Sequence, residues 1–145
     1  MSGEGRLWKR MREGIAPFCF AQRIENLTGE GVPDVWLCSK TTGQGAWTEL
    51  KCRMEMPARI STPIFKGDHG LRPDQVAWIY GRATAGANIF ILGQGGDRLW
   101  LVHGRCARDL ADMNAANLSK VCSWEGQARC TDWQSLLQII FQERE

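Results

Sequence analysis

Long apolar runs are missing from this sequence of 145 residues. No stretch reaches the roughly 18 apolar residues that a membrane-spanning helix requires. Residues 1–6 contain the charged residues Glu4 and Arg6, and no long apolar segment follows them. These absences argue against a membrane span and against a secretory signal. The sequence therefore predicts a cytoplasmic protein that has no membrane partner.

Paired cysteines and a strong net charge are also missing. The six cysteines show no Cys-x-x-Cys spacing, which argues against a structural zinc site and favours reduced, mostly buried thiols. The formal net charge is only +2, which is too small by itself to indicate a nucleic-acid-binding protein. A hydrophobic fraction of 43% and the chain length predict one folded domain over residues 1–145.

Apolar periodicity divides the chain into helices and strands. Leu7, Met11 and Ile15 recur at helical spacing, so a first helix is predicted over 4–15 with Ser2 as its N-cap. Alternation and turn residues predict the remaining elements: strands over 18–24, 35–38, 46–52, 88–92 and 98–103, a helix from Pro73 to near Gly86, and helical segments over 107–113 and 132–141.

This order of elements predicts an α/β fold with a mixed central β-sheet flanked by helices. Residues 93–97 contain three glycines and are predicted to connect the last two strands. Residues 104–145 are predicted to form a helical C-terminal tail.

Two acidic residues lie at the start of one predicted strand and near the end of the next. Asp34 follows Gly31 and Pro33 and precedes an apolar stretch, and Glu49 comes fifteen residues later. Side chains on a strand alternate, so Lys51 faces the same way as Glu49 while Leu50 faces the opposite way.

Carboxylates on neighbouring strands are suitable ligands for Mg²⁺ or Mn²⁺, and the Leu50 carbonyl could add a neutral oxygen ligand. A Pro-Asp turn or a Glu-x-Lys pair by itself is more often ordinary turn chemistry or a solvated pair of charges. Together they favour a metal-dependent site with Asp34, Glu49 and Lys51 as its reactive residues.

A polar side chain lies near the start of the predicted second helix. Gln75 is placed at the edge of an apolar stripe, where it could orient a water molecule or contact a DNA backbone. Of the two histidines, His69 is expected to be an exposed loop residue and His103 a structural residue.

Basic residues cluster in two places. A solvated polar face explains such clusters more often than a phosphate track, but beside a metal site a phosphodiester substrate needs cationic contacts. The sequence therefore predicts DNA contacts from six basic residues: Arg6, Lys9, Arg10, Arg53, Lys66 and Arg72.

The order Gly-x-Pro-Asp, Glu-x-Lys and Leu-x-Pro-x-Gln, read at residues 31–34, 49–51 and 71–75, resembles the VRR-NUC branch of the PD-(D/E)XK nuclease superfamily, which includes phage and Holliday-junction-resolvase-like members. The resemblance covers about residues 4–103. It implies a restriction-endonuclease-like fold and metal-dependent cleavage of DNA. It also implies that Asp34 and Glu49 bind the metal, that Lys51 is the catalytic lysine and that Gln75 is an auxiliary residue.

The resemblance further implies an acid near the start of the first helix. Glu4 fits best because it shares the apolar face of that helix, where a carboxylate needs a partner such as a metal ion. A helix N-terminal acid stabilised by the helix dipole is an equally good explanation of Glu4. Glu13 faces the polar side, and Glu25, before the Pro-Asp block, is a rival.

The expected function is that of an endonuclease acting on branched DNA such as four-way junctions or flaps, and this substrate rests on the resemblance alone. Recognition of a junction by two active sites implies a homodimer, for which the apolar tail could provide the interface, although the tail could instead close the core. Two alternatives stay open: a non-catalytic nucleic-acid-binding or inhibitory module, and a sequence-specific restriction-type nuclease.

Overall fold

The computed structural model describes residues 2–24 and 30–142. Helix α1 spans Gly3–Ile15, and the hydroxyl of Ser2 accepts a hydrogen bond from the backbone N–H of Gly5 at 3.0 Å, as an N-cap residue does. The remaining elements are β1 (Cys19–Arg23), β2 (Val35–Ser39), β3 (Gly45–Arg53), α2 (Pro73–Thr84), β4 (Ile89–Gly95), β5 (Arg98–His103), α3 (Ala115–Val121), β6 (Trp124–Gln127) and α4 (Trp133–Gln142).

The described strands form one six-stranded sheet in the order β1-β2-β3-β4-β5-β6. Strands β3 and β4 are parallel, because α2 connects them across one face, and the other pairs are antiparallel. One core lies between the sheet and helices α1 and α4, and a second core lies between the opposite face and helix α2. The predicted α/β fold with a mixed sheet flanked by helices is confirmed.

Strand β4 is longer than predicted. Residues 93–95 were expected to belong to the connection, but they continue the pairing with β3 and β5, and the chain turns at Gly96 and Asp97. Gly93 is needed inside the strand because a Cβ there would lie 2.5 Å from the ring of Phe65. The glycine therefore marks close packing in this case and not a turn.

The predicted helix over 107–113 is wrong. That region contains short 3₁₀ turns at 104–106 and 110–112, and α3 begins only after Asn114, whose side-chain oxygen accepts a hydrogen bond from the N–H of Asn117 at 2.9 Å. Buried Ala107 and Leu110 are three residues apart, a spacing that 3₁₀ turns satisfy as well as an α-helix does.

Strand β6 was missed because its short sequence lacks apolar alternation and because its pairing partner, β5, lies more than twenty residues earlier. Trp124, Trp133, Ile139 and Phe141 pack, partly buried, against the core beside α1. The tail therefore closes the core, and the homodimer stays a prediction. Within the described ranges, no helix is long and apolar enough to cross a membrane.

Candidate active site

A cleft of about 360 Å³ opens where β2 begins and β3 continues beyond it. All five residues that the sequence predicts as catalytic line this cleft, although they come from α1, the segment before β2, β3 and α2. The lining residues are Glu4, Asp34, Glu49, Lys51, Gly67, Asp68, Gly70, Arg72 and Gln75. Asp68 was not predicted as a site residue, because it lies directly before His69 in a loop and has no distinctive spacing of its own.

Asp34 lies at the point where β2 stops pairing with β3. The last pair of the ladder joins Val35 to Thr48, so the next backbone N–H of β3 that faces this side, that of Leu50, has no strand partner. It donates instead to Oδ2 of Asp34 at 2.8 Å. The N–H and C=O of one strand residue face the same neighbour, so the Leu50 carbonyl also faces the Asp34 side, as a metal ligand at this place would need to.

Glu49 is a buried carboxyl group with an incomplete set of partners. Its side chain is 1% exposed; Oε2 accepts a hydrogen bond from Nε2 of Gln75 at 2.9 Å and lies 3.3 Å from Nζ of Lys51. Among the residues that the structure describes, Oε1 has no hydrogen-bond partner. Burial, reinforced by the negative charge of Asp34 and opposed by Lys51, raises the pKa of Glu49 to about 8.

Gln75 has its amide orientation determined by two partners. Its Oε1 accepts a hydrogen bond from the backbone N–H of Arg72 at 2.9 Å, which leaves Nε2 to donate to Glu49. The side chain is 4% exposed. In this structure, therefore, the residue positions a carboxylate oxygen, and a direct contact with water or DNA stays a prediction.

Glu4 extends from the first turn of α1 into the same cleft. Burial raises the pKa of Glu4, and the charge of Lys51 opposes that rise. Glu13 is exposed and does not line the cleft, and Glu25 lies outside the described residues. Of the acids proposed for this role, Glu4 is therefore the described one that lines the same cleft as Asp34 and Glu49. Its role as a metal ligand stays a prediction.

The glycine of the Gly-x-Pro-Asp motif allows two backbone segments to touch. Gly31 has φ +84°, and a Cβ there would lie 2.3 Å from the backbone oxygen of Asp74 in the first turn of α2. Only glycine adopts this conformation without cost and leaves room for that oxygen. The contact holds the segment that carries Asp34 against the helix turn that carries Gln75.

The chemistry of this cleft fits a divalent cation. Among residues 2–24 and 30–142, no group of three or more His, Cys, Asp or Glu side chains is arranged to hold a metal ion. Asp34 and Glu49 nevertheless provide two hard carboxylates, and Mg²⁺ sites commonly use one or two carboxylates together with water and a substrate phosphate. The buried and unpartnered Oε1 of Glu49 is an oxygen that such a cation would satisfy.

The predicted DNA-contacting residues have different surroundings. Arg72 lines the cleft with a side chain that is 60% exposed and forms a 3.2 Å ion pair with Asp74, and Lys66 is exposed beside the cleft residue Gly67. Arg6 and Lys9 are exposed on α1. All four side chains are exposed, and their contact with DNA stays a prediction.

Two other predicted DNA contacts are held inside the protein. Arg10 is half-buried and donates to Oε1 of Gln94. Arg53 donates to the carbonyl oxygen of Glu55 at 3.1 Å and to that of Ile64 at 3.4 Å, so it closes the loop that follows β3. Neither residue lines the cleft.

Both histidines lie outside the cleft. His69 is exposed and lines an adjoining depression together with Cys52 and Arg53. Nδ1 of His103, a buried residue, accepts a hydrogen bond from the N–H of Arg105 at 3.1 Å, which agrees with its predicted structural role.

Comparison with known proteins gives similarity only to solved structures. No family model matches the sequence, and no curated protein matches it. The chain is similar to a structure described as a VRR_NUC domain, at 19% identity and a TM-score of 0.46, over 66% of this chain and 87% of that one. It is also similar to Archaeoglobus fulgidus Hjc, a Holliday junction resolvase, at 15% identity and a TM-score of 0.45, over 83% of this chain and 98% of that one.

Proposed function

We propose that this protein is a nuclease that hydrolyses phosphodiester bonds in DNA with the help of Mg²⁺ or Mn²⁺ bound by Asp34 and Glu49. One observation carries the proposal. Oε1 of Glu49 is buried, has no hydrogen-bond partner among the described residues, and belongs to a cleft shared with Asp34 and Lys51. A buried carboxyl oxygen that lacks a partner costs stability, and a bound cation would remove that cost.

Each side chain of the cleft has a different proposed role. Asp34 and Glu49 would hold the cation, with the Leu50 carbonyl as a further oxygen ligand. Glu4 would join them only if its side chain moved closer to the ion, since the described residues do not arrange three acidic side chains around one site. Gln75 holds Oε2 of Glu49 and so leaves Oε1 for the cation. Bound in this cleft, the cation would polarise the scissile phosphate and lower the pKa of an attacking water molecule.

Lys51 supplies positive charge to the reacting phosphate. Its Nζ is held 3.3 Å from Glu49, on the same strand face. When a cation engages Glu49, the ammonium group is free to stabilise the additional negative charge that develops on the phosphate oxygens. Arg72 and Lys66, at the exposed margin of the cleft, would contact neighbouring phosphates.

Branched DNA, such as a four-way junction or a flap, is the substrate that the motif resemblance implies. A homodimer would present two such clefts to the two strands of a junction that must be cut. Light scattering of the purified protein, with and without a junction, measures its molar mass and so tests the homodimer separately.

Cation binding and cleavage are tested independently. Titration calorimetry with Mn²⁺ should give a binding isotherm for the wild type that is lost in Glu49→Gln and retained in Glu13→Gln, because Glu13 is an exposed acid outside the cleft. Labelled junction, flap and linear duplex are then incubated with Mg²⁺, Mn²⁺ or a chelator. Cleavage of branched DNA that requires the cation and Lys51 supports the proposal.

Other outcomes favour the alternatives. Tight binding of DNA that needs no metal and leads to no cleavage would indicate a non-catalytic binding or inhibitory module. Cleavage of linear duplex at a defined sequence would indicate a restriction-type nuclease. The two carboxylates argue against the binding module, because without a cation they would repel a phosphate.

A further inference from the structure

No described helix or strand covers one face of strands β1 and β2. Their pairing places Gln22 opposite Trp36 and Phe20 opposite Cys38, so these side chains share that face. Phe20 is 61% exposed and Trp36 is 36% exposed. Helix α1 covers the other face, where the alternate side chains such as Leu37 are buried.

Tryptophan rings continue this surface toward α2. The ring of Trp36 lies 4.9 Å from that of Trp47, and Trp47 lies 5.6 Å from Trp78, both in edge-on contacts. The absence of a side chain at Gly45 allows the Trp36 ring to lie on the strand, since a Cβ there would be 2.3 Å from the ring. We define Phe20, Trp36, Trp47 and Trp78 as the aromatic platform.

The aromatic platform begins beside the candidate active site. Trp47 and Glu49 are two residues apart on β3 and therefore project from the same face, about 7 Å from each other along the strand. Asp34 directly precedes the strand that carries Trp36. A ligand bound with one group in the cleft can therefore extend from it onto the platform.

Positive charges border the aromatic platform. The guanidinium carbon of Arg82 lies 3.9 Å from the centre of the Trp78 ring, and Nζ of Lys40 lies 5.1 Å from the centre of the Phe20 ring. Both basic residues are exposed. Phe20 and Trp36 are the exposed rings of the platform, whereas Trp47 and Trp78 are partly buried, and the two cationic groups lie over the rings of Phe20 and Trp78. Exposed rings together with cationic groups are suited to a ligand that alternates flat apolar groups with phosphates, which is the chemistry of a single nucleic-acid strand.

We propose that the aromatic platform binds unpaired nucleotides that flank the scissile phosphate, so that the preferred substrate carries a single-stranded segment beside the point of cleavage. This inference rests on the proposed nuclease function and narrows its substrate class. In an intact duplex each base is stacked on its neighbours and paired, so it cannot also stack on Trp36 without being unpaired first.

Binding measurements in the presence of a chelator test the platform without any cleavage. The probes are one labelled single strand, the matching duplex, and the same duplex with a single-stranded flap. Replacing both Phe20 and Trp36 by alanine should weaken binding of the single strand and the flap about tenfold or more, because each stacked base contributes substantially, and should leave the duplex within about twofold.

Two further variants serve as controls. Val121→Ala removes a 44% exposed apolar side chain from α3, which packs on β5 away from the platform, and should leave all three affinities unchanged. Trp36→Phe keeps an aromatic ring at this position, so this variant should keep most of the wild-type affinity for the single strand. Phe20→Ala alone, at a mostly exposed position, provides the same test if the double variant does not fold.

Equal loss on all three probes, or no loss on any, would overturn the platform proposal. A change from dimer to monomer without any change in DNA affinity would also overturn it, since the surface would then belong to a second copy of the chain. If selective binding is present but the wild type cuts nothing in Mg²⁺ or Mn²⁺, the platform stands and the nuclease function fails. If Lys51-dependent cleavage is found without selectivity, the reverse holds.

Discussion

Strands β4 and β2 belong to the same sheet but differ in what covers them. All seven residues of β4 are buried, because packed side chains cover both faces. Strand β2 buries Val35, Leu37 and Ser39 on one face and leaves Trp36 exposed on the other. A strand that is covered on both faces is stable but inaccessible, whereas one face of β2 leaves Trp36 in contact with solvent.

The candidate active site lies where the cover ends. Glu49 is buried among its neighbours, yet it lines an open cleft because β2 stops pairing at Val35. The carboxyl group is therefore almost completely desolvated although the cleft that it lines opens to solvent. Substitutions on the covered strand β4 and on the half-covered strands β1 and β2 should therefore have different effects.

The largest effect is expected from Lys51→Ala. Loss of the positively charged ammonium group beside the reacting phosphate should lower the rate of DNA cleavage about 10³-fold. The circular dichroism spectrum should not change. Lys120→Ala removes an exposed lysine from α3 and should cut like the wild type. Wild-type cleavage by Lys51→Ala would show that the cleft is not where the reaction occurs.

The next largest effect is a difference in stability loss between the same substitution on the covered strand β4 and on the half-covered strand β1. Phe90, in β4, is 0% exposed, and Phe90→Ala should lower the free energy of unfolding by about 3–5 kcal/mol through lost apolar burial and a cavity. Phe20→Ala, the same substitution at a 61% exposed position on β1, should change it by less than about 0.5 kcal/mol. Urea unfolding measures both, and similar losses would remove the distinction between the covered and half-covered faces.

A pH-dependent effect is expected from Glu49. Its folded-state pKa of about 8 is above the ordinary value of 4.5, so the folded protein favours the protonated carboxyl group. Without metal, the unfolding free energy should fall by on the order of a few kcal/mol as the pH rises from about 5 to about 8. Glu49→Gln should lack that part of the fall, and Glu13→Gln should keep it. Parallel stability curves for wild type and Glu49→Gln would contradict the raised pKa.

The smallest effect is expected from Gly31→Ala. A Cβ at φ +84° and 2.3 Å from the Asp74 oxygen should cost about 2 kcal/mol of stability, and it should weaken Mn²⁺ binding by displacing Asp34 from α2. Gly81→Ala, at an open position on the same helix, should instead stabilise the protein by about 0.5–1 kcal/mol. Unchanged stability in Gly31→Ala would show that the contact between the two segments is not needed.

Local rules of the sequence predicted much of the candidate site. Strand alternation placed Glu49 and Lys51 on one face and Leu50 on the other, as the structure shows. Helical spacing placed Glu4 on the apolar face of the first helix and Gln75 at the edge of the apolar stripe of the second, and both line the cleft. These predictions hold because the direction of a side chain follows from backbone geometry within a few residues.

Predictions that needed distant partners were less successful. The continuation of β4 through Gly93 depends on the ring of Phe65, and β6 exists through its pairing with β5. Arg10 was grouped with the exposed basic residues, but its position beside Gln94 depends on the packing of α1 on the sheet. Contacts between residues that are distant in the sequence cannot be predicted from composition or from apolar periodicity.

The amino-acid sequence is enough to predict where the strands alternate and that Glu49 and Lys51 share a strand face. The folded structure is needed to see that the amide of Gln75 holds one oxygen of Glu49 and that the other oxygen has no partner among the described residues. It is also needed to see that the ring of exposed Trp36 packs against Trp47, two residues before Glu49 on β3. The physical reason is that side-chain direction is a local property, whereas burial, hydrogen-bond partners and pKa depend on segments that meet only when the chain folds.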